Sequence, residues 1–166
     1  MSVTDYVDTF DSRGDLYNHA AEINRNARDQ ERRYLVDLLK IQSHHLVCDA
    51  PAGGGYLAEG LVDLVESPRQ ITCVEPSRQF AQPIPEKFKR LLAPIHNIPC
   101  DKACFDRVGS LAGLHHLKDK QSFFDECNRI LKPGGLVAFA DVLADTSVAR
   151  FLNGPVDQFT ETGHKG

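Results

Sequence analysis

The chain is predicted to fold as an α/β protein: a doubly wound, mainly parallel sheet with helices on both faces. Three observations carry that prediction. His45-Leu46-Val47-Cys48-Asp49-Ala50-Pro51-Ala52-Gly53-Gly54-Gly55 reads as an apolar strand that ends on a carboxylate and turns through three glycines into a helix from Tyr56. A second strand, Gln70-Ile71-Thr72-Cys73-Val74, ends on Glu75, twenty residues after Gly55. Later, a helical stretch stops at Lys132-Pro133-Gly134-Gly135 and the apolar run Leu136-Val137-Ala138-Phe139-Ala140 follows. Strands alternating with helices imply right-handed crossovers, and ligands gather at the carboxyl ends of such strands.

The elements follow in order. Residues 1–25 are polar, and Asp11-Ser12-Arg13-Gly14 predicts a turn or loop leading into helical segments. Tyr34, Leu35, Leu38 and Ile41 have helical spacing and predict an amphipathic helix over 27–41, before the strand at 44–48. Leu57, Leu61, Leu64 and Val65 mark the buried side of the helix after the glycine turn, which Pro68 closes. Pro83 and Pro85 interrupt the next helix, because proline lacks a backbone donor. A helix over 86–92 and a third strand over 91–95 are expected beyond them, then a loop over 96–105 and a strand over 107–111. Asp119 is a suitable N-cap for a helix with Phe123, Phe124, Cys127, Ile130 and Leu131 on one face. The tail from Asp145 to Gly166 reads as a helix and a polar end.

Composition excludes several classes. Net charge is −4, and the basic cluster Arg25, Arg28, Arg32 and Arg33 is interleaved with Glu22, Asp29 and Glu31, so no nucleic-acid surface is expected. No segment approaches the roughly 18 apolar residues of a membrane span. The N-terminus lacks a charged-then-apolar signal pattern, and the five cysteines read as small buried residues in a reducing cytoplasm. His96, Cys100 and Cys104 have suggestive spacing, but a structural zinc site wants four ligands and tighter cysteine pairs, so no metal is expected.

A glycine turn followed by an acid at this distance is how an α/β sheet grips an adenosine-type cofactor, the acid holding the ribose hydroxyls. Gly53-x-Gly55-x-x-Ala58 fits the dinucleotide fingerprint, but Asp49 at its mouth would repel a pyrophosphate. The carboxylate suits a ligand with an ammonium group. S-adenosylmethionine carries one, together with a ribose for Glu75, so the charge pattern favours it over NAD.

Four segments then resemble the class I S-adenosylmethionine-dependent methyltransferases. Leu46 through Gly55 is similar to the first motif of that family, and Val74-Glu75-Pro76-Ser77 to the acidic end of its second strand. Ile98-Pro99 through Phe105-Asp106, with Leu114-His115-His116-Leu117, resembles the region around the fourth strand. Leu131 through Gly135 resembles the turn before the fifth. Pro51 stands where the motif has its first glycine, and residues 91–98 lack the acid that often holds the adenine. The resemblance implies a Rossmann-like sheet lacking the last two strands of the family, either a smaller sheet or a fragment. It implies residues 1–26 as an N-terminal lid and 27–166 as the cofactor domain, with Asp49, Ala50, Pro51, Gly53, Gly55, Glu75, Pro76 and Ser77 at S-adenosylmethionine.

His115 and His116 lie just past a strand's carboxyl end and could take a proton from a hydroxyl or amine; a structural pair is the plainer alternative. Arg78 and Phe80 could shape the adenine side, Phe80 equally the core. Tyr6, Phe10 and Tyr17 are either lid aromatics or packing on the sheet edge. The leading expectation is in-line methyl transfer to a small-molecule acceptor. A non-catalytic or truncated cofactor-binding domain is the alternative, ahead of an NAD-linked oxidoreductase. A sheet edge left without those strands would template pairing, so a homo-oligomer or a partner chain is expected.

Overall fold

A computed structural model describes residues 3–24 and 26–159. Five strands form one sheet in the order β3-β2-β1-β4-β5, all pairs parallel. They are β1 (Val47–Asp49), β2 (Ile71–Val74), β3 (Lys89–Leu91), β4 (Phe105–Leu111) and β5 (Leu131–Ala140). The order reverses between β1 and β4, so a crevice at the carboxyl end of β1 is the expected ligand position.

Strand alternation feeds two cores, one on each face. Val47, Ile71, Cys73 and Ala138 pack against Leu35 and Leu39 of α2 (Asp29–Leu39) and against Leu57, Ala58 and Leu61 of α3 (Tyr56–Leu61). Cys48, Val74, Phe105 and Val108 pack against Phe123, Cys127 and Ile130 of α4 (Lys120–Ile130), whose N-cap is Asp119. Val47, Cys48, Ile71 and Val108 have no exposed surface.

Several expectations are corrected. Asp11–Gly14 does not turn: α1 (Val3–Ile23) runs straight through it. Gly14 is glycine because a Cβ there would lie 2.8 Å from the Phe80 backbone. Tyr34 and Leu38 are exposed, and Leu35 and Leu39 carry the buried stripe of α2. Leu64 is exposed, and α3 ends at Leu61; Pro68 opens a 3-10 turn capped by Ser67 instead of closing a helix. No helix forms over 86–92. That segment supplies β3, which pairs with Thr72–Val74, and the third strand lies at 89–91, before Pro94. α4 ends at Ile130, before Lys132–Gly135; that segment lies instead within the span of β5, where the register shifts between the pairs Phe105–Leu131 and Arg107–Leu136.

The tail continues as α5 (Ser147–Phe151), a π turn over 152–156 and α6 (Asp157–Phe159). Arg25 and the polar end, residues 160–166, lie outside the described residues. Among the described residues no helix is long and apolar enough to cross a membrane.

Candidate active site

The glycine turn behaves as its composition demands. Gly53 and Gly55 have φ of +51° and +88°, a region that L side chains seldom enter. Asp49, at the end of β1, is 1% exposed. Its Oδ2 accepts the Ala58 N–H at 3.1 Å, and its Oδ1 has no hydrogen-bond partner among the described residues. Burial pushes the Asp49 carboxyl up to about 8; the Ala58 bond works downward, and the charge of Glu75 adds to the rise. Ala50 is tied to β4 by donating to the Gly109 carbonyl, and a Cβ on Gly113 would overlap the Pro51 ring. A proline at the first motif position is therefore accommodated against a glycine of the neighbouring loop.

Glu75, at the end of β2, is wholly buried. Its Oε2 accepts Gly53 N–H at 2.9 Å and the Tyr6 hydroxyl at 3.3 Å, while its Oε1 accepts Ser77 N–H at 2.9 Å. Burial raises the Glu75 carboxyl to about 7 against these three donors. Burial, then the charge of Glu75, holds the Tyr6 hydroxyl well above its ordinary value. Ser77 is buried and donates to Asp11 Oδ1 at 2.6 Å while accepting Phe80 N–H at 3.0 Å. Pro76 lines a cavity of about 10 Å³ with Tyr6, Pro94, Ile95, His96 and Leu117.

These contacts lay α1 across the carboxyl ends of the strands. Phe10 stacks on Phe80 with ring centroids 4.8 Å apart and planes 4° from parallel, and meets His116 edge-on at 5.1 Å. Tyr17 joins the same group. A Cβ on Gly53 would lie 2.9 Å from the Phe80 ring, so that ring rests on the glycine turn. Arg78, by contrast, is exposed.

On the other side of β1, His115 and His116 occupy a 3-10 turn after β4, with ring centroids 3.9 Å apart. His115 Nδ1 lies 2.6 Å from Asp141 Oδ1, and Asp141 Oδ2 accepts the N–H groups of Leu114 and His115 at 2.7 and 3.1 Å. Burial works to raise the Asp141 carboxyl, yet the bonds from His115, Val142 and Leu114 hold it below its ordinary value. An ionised carboxylate only accepts, so Nδ1 carries the proton toward Asp141. His116 is 8% exposed beneath Phe10.

Sequence reasoning named both histidines but missed Asp141, although an acid just beyond an apolar strand was visible. It missed Asp11, and also Ser110, whose buried hydroxyl has no partner among the described residues. Of His96, Cys100 and Cys104, the two cysteines come together, but no group of three or more His, Cys, Asp or Glu among the described residues could hold a metal.

Known proteins share this fold. The methyltransferase domain family matches residues 48–139, from β1 to β5. The demethylmenaquinone methyltransferase of Protochlamydia amoebophila is 24% identical over 148 residues, covering 81% of this chain and 57% of its own length. A SAM-dependent methyltransferase of Thermotoga maritima superposes with a TM-score of 0.71 at 22% identity, over 87% of this chain and 65% of that one. Geranyl diphosphate C-methyltransferase of Streptomyces coelicolor, solved with S-adenosyl-L-homocysteine, superposes at 0.60 with 20% identity, over 67% and 44%. The chain thus spans less than two thirds of the length of each of these relatives. Because the family match covers more than half of the chain, it belongs to the methyltransferase domain family.

Proposed function

We propose that this member of the methyltransferase domain family binds S-adenosylmethionine across β1 and β2 and transfers its methyl group to a small-molecule acceptor. The observation that carries the reading is the pair Asp49 and Glu75: buried carboxylates pushed up by burial, flanking one glycine turn, with no cation among the described residues bonded to either. Such acids fit a ligand that brings an ammonium and a pair of hydroxyls. The partnerless Asp49 Oδ1 is an acceptor awaiting a donor.

In this reading Asp49 receives the ammonium, and Glu75 receives the ribose hydroxyls with Gly53 and Ser77 N–H holding it in place. Ala50, Pro51, Gly55 and Pro76 supply the close backbone wall. Bound S-adenosylmethionine supplies an electrophilic methyl on a sulfonium. The chain's part is positioning, exclusion of water and removal of the acceptor's proton. His115 takes that proton at Nε2, the ring nitrogen turned away from Asp141, and His116 packs behind it. Residues 1–26 act as a lid: Tyr6 and Phe10 must leave Glu75 and Phe80 for the cofactor to enter. A second copy pairing along the β5 edge is the protein partner this reading favours, and a strictly monomeric sedimentation profile at high concentration overturns that part.

Calorimetric titration of the folded chain with S-adenosylmethionine, S-adenosylhomocysteine and NAD tests the reading. Micromolar binding of the first two alone supports it; no binding, or binding of NAD, overturns it. A panel of acceptors with a labelled methyl group follows, headed by demethylmenaquinone, the compound named in the Protochlamydia relative.

A further inference from the structure

Far from these carboxylates, at the amino end of β4, two thiols meet. Cys104 Sγ donates to Cys100 Sγ at 3.0 Å, and both residues are partly exposed. The other three cysteines, Cys48, Cys73 and Cys127, are buried. The loop that carries the pair is fastened at both ends. Arg129 donates to the carbonyls of Ile98 and Cys100 at 2.8 Å, and Glu126 Oε1 accepts the Ile98 N–H at 2.5 Å. Ala103 and Cys104 donate to the carbonyls of Arg129 and Ile130 at 3.0 and 2.8 Å, with Ala103 at a φ of +54°. Two thiols on a clamped loop have already lost the freedom that forming a ring would remove.

We infer that Cys100 and Cys104 form a preorganised dithiol, a site where a small-molecule disulfide of the glutathione type is reduced and an intramolecular disulfide forms. The two sulfurs have different parts. Cys100 Sγ has the Arg129 guanidinium at 4.0 Å and the Cys104 S–H aimed at it, the surroundings of an attacking sulfur. Burial and the bond to Cys100 push the Cys104 thiol up to about 12, so it keeps its proton until the second step. Cys100 attacks one sulfur of oxidised glutathione, forming a mixed disulfide and releasing one glutathione thiol. Cys104 then loses its proton and attacks Cys100 Sγ, releasing the second glutathione. The protein gives up two electrons and two protons, and one glutathione disulfide becomes two thiols. The sulfurs need to approach by only about 1 Å to reach bonding distance.

The inference does not depend on the methyl-transfer reading and is tested on the folded full chain. The protein is incubated with oxidised glutathione in mildly alkaline buffer, quenched with acid, and read by intact mass and peptide mapping, with circular dichroism checking each variant's fold. Wild type is expected to lose two hydrogens, to map as a Cys100–Cys104 disulfide and to retain no glutathione. Cys104→Ser is expected to hold one glutathione on Cys100, and Cys100→Ser to react at least ~10-fold more slowly than wild type. Glutathione retained on wild type, a disulfide mapped to another pair, or two hydrogens lost from either single variant would overturn the proposal. So would unreacted thiols after the time that fully oxidises dithiothreitol under the same conditions.

Discussion

Two pairs of carboxylates, one pair at each end of the parallel sheet, are treated in opposite ways. At the amino ends, Asp106 accepts from Lys132 Nζ and Leu46 N–H at 2.8 Å, and Glu126 accepts from Arg129 Nη2 and Nε at 2.7 Å. Both carboxyls sit below their ordinary values. The Arg129 bond leads for Glu126, while for Asp106 burial works upward and is outweighed by Lys132 and Leu46. At the carboxyl ends, Asp49 and Glu75 meet only N–H and O–H donors among the described residues, and burial wins, to about 8 and about 7. A buried acid paired with a protein cation belongs to the frame; one left without a cation is where a ligand's cation or hydroxyls fit.

Opposite pH slopes follow. Asp106 and Glu126 bind their protons more weakly when folded, so they stabilise above the ordinary carboxylate range and lose that contribution as pH falls. Asp49 and Glu75 bind theirs more tightly when folded. Their contribution is present at low pH and is lost as pH rises through about 7 and about 8.

The sharpest way to break the contrast is Glu75→Ala. It is expected to cost at least ~100-fold in affinity for S-adenosylhomocysteine, because the Gly53, Ser77 and Tyr6 donors and the ligand's hydroxyls lose one acceptor. Calorimetry on folded protein reads this, and an affinity within twofold of wild type would place the ligand elsewhere. Glu126→Gln should do the reverse. Leaving Arg129 without its carboxylate is expected to cost about 2–3 kcal/mol of stability in urea, with ligand affinity of the folded protein unchanged.

Asp49→Asn touches both stability and binding. Above pH 8 the unliganded variant should be more stable than wild type by about 1–2 kcal/mol, since a buried charge is gone, while binding weakens about tenfold. Thermal melts across pH check the sign; a variant less stable than wild type at high pH would mean that the charged carboxylate is stabilised by the fold. Tyr6→Phe is the smallest change. It removes one of three donors to Glu75 and should cost about 1 kcal/mol, read by amide exchange over α1.

The strand–turn–helix at Asp49–Tyr56, the acid at Glu75 and the cap at Asp119 were legible because each is a local demand. A left-handed φ favours glycine, a buried strand needs an apolar run, and a helix start needs an acceptor. The third strand was blurred because β3 has three residues with two exposed, and only its pairing with β2 defines it. The turn expected at Asp11–Gly14 failed for the same kind of reason. Gly14 serves a contact with Phe80, and Asp11 and Asp15 bond to Ser77 and Gln79, far away in sequence.

By itself, then, the sequence determined the α/β class, the glycine turn and the acid that follows it, all set within a few residues by backbone sterics and hydrophobic period. Only the tertiary structure decided that α1 lies across that turn, with Tyr6 bonded to a carboxylate 69 residues away and Asp11 to Ser77 66 residues away. It alone paired His115 with Asp141, 26 residues on, and brought the thiols of Cys100 and Cys104 together. Those contacts are chosen by which surfaces remain to be covered once the sheet is assembled, and no local periodicity encodes them.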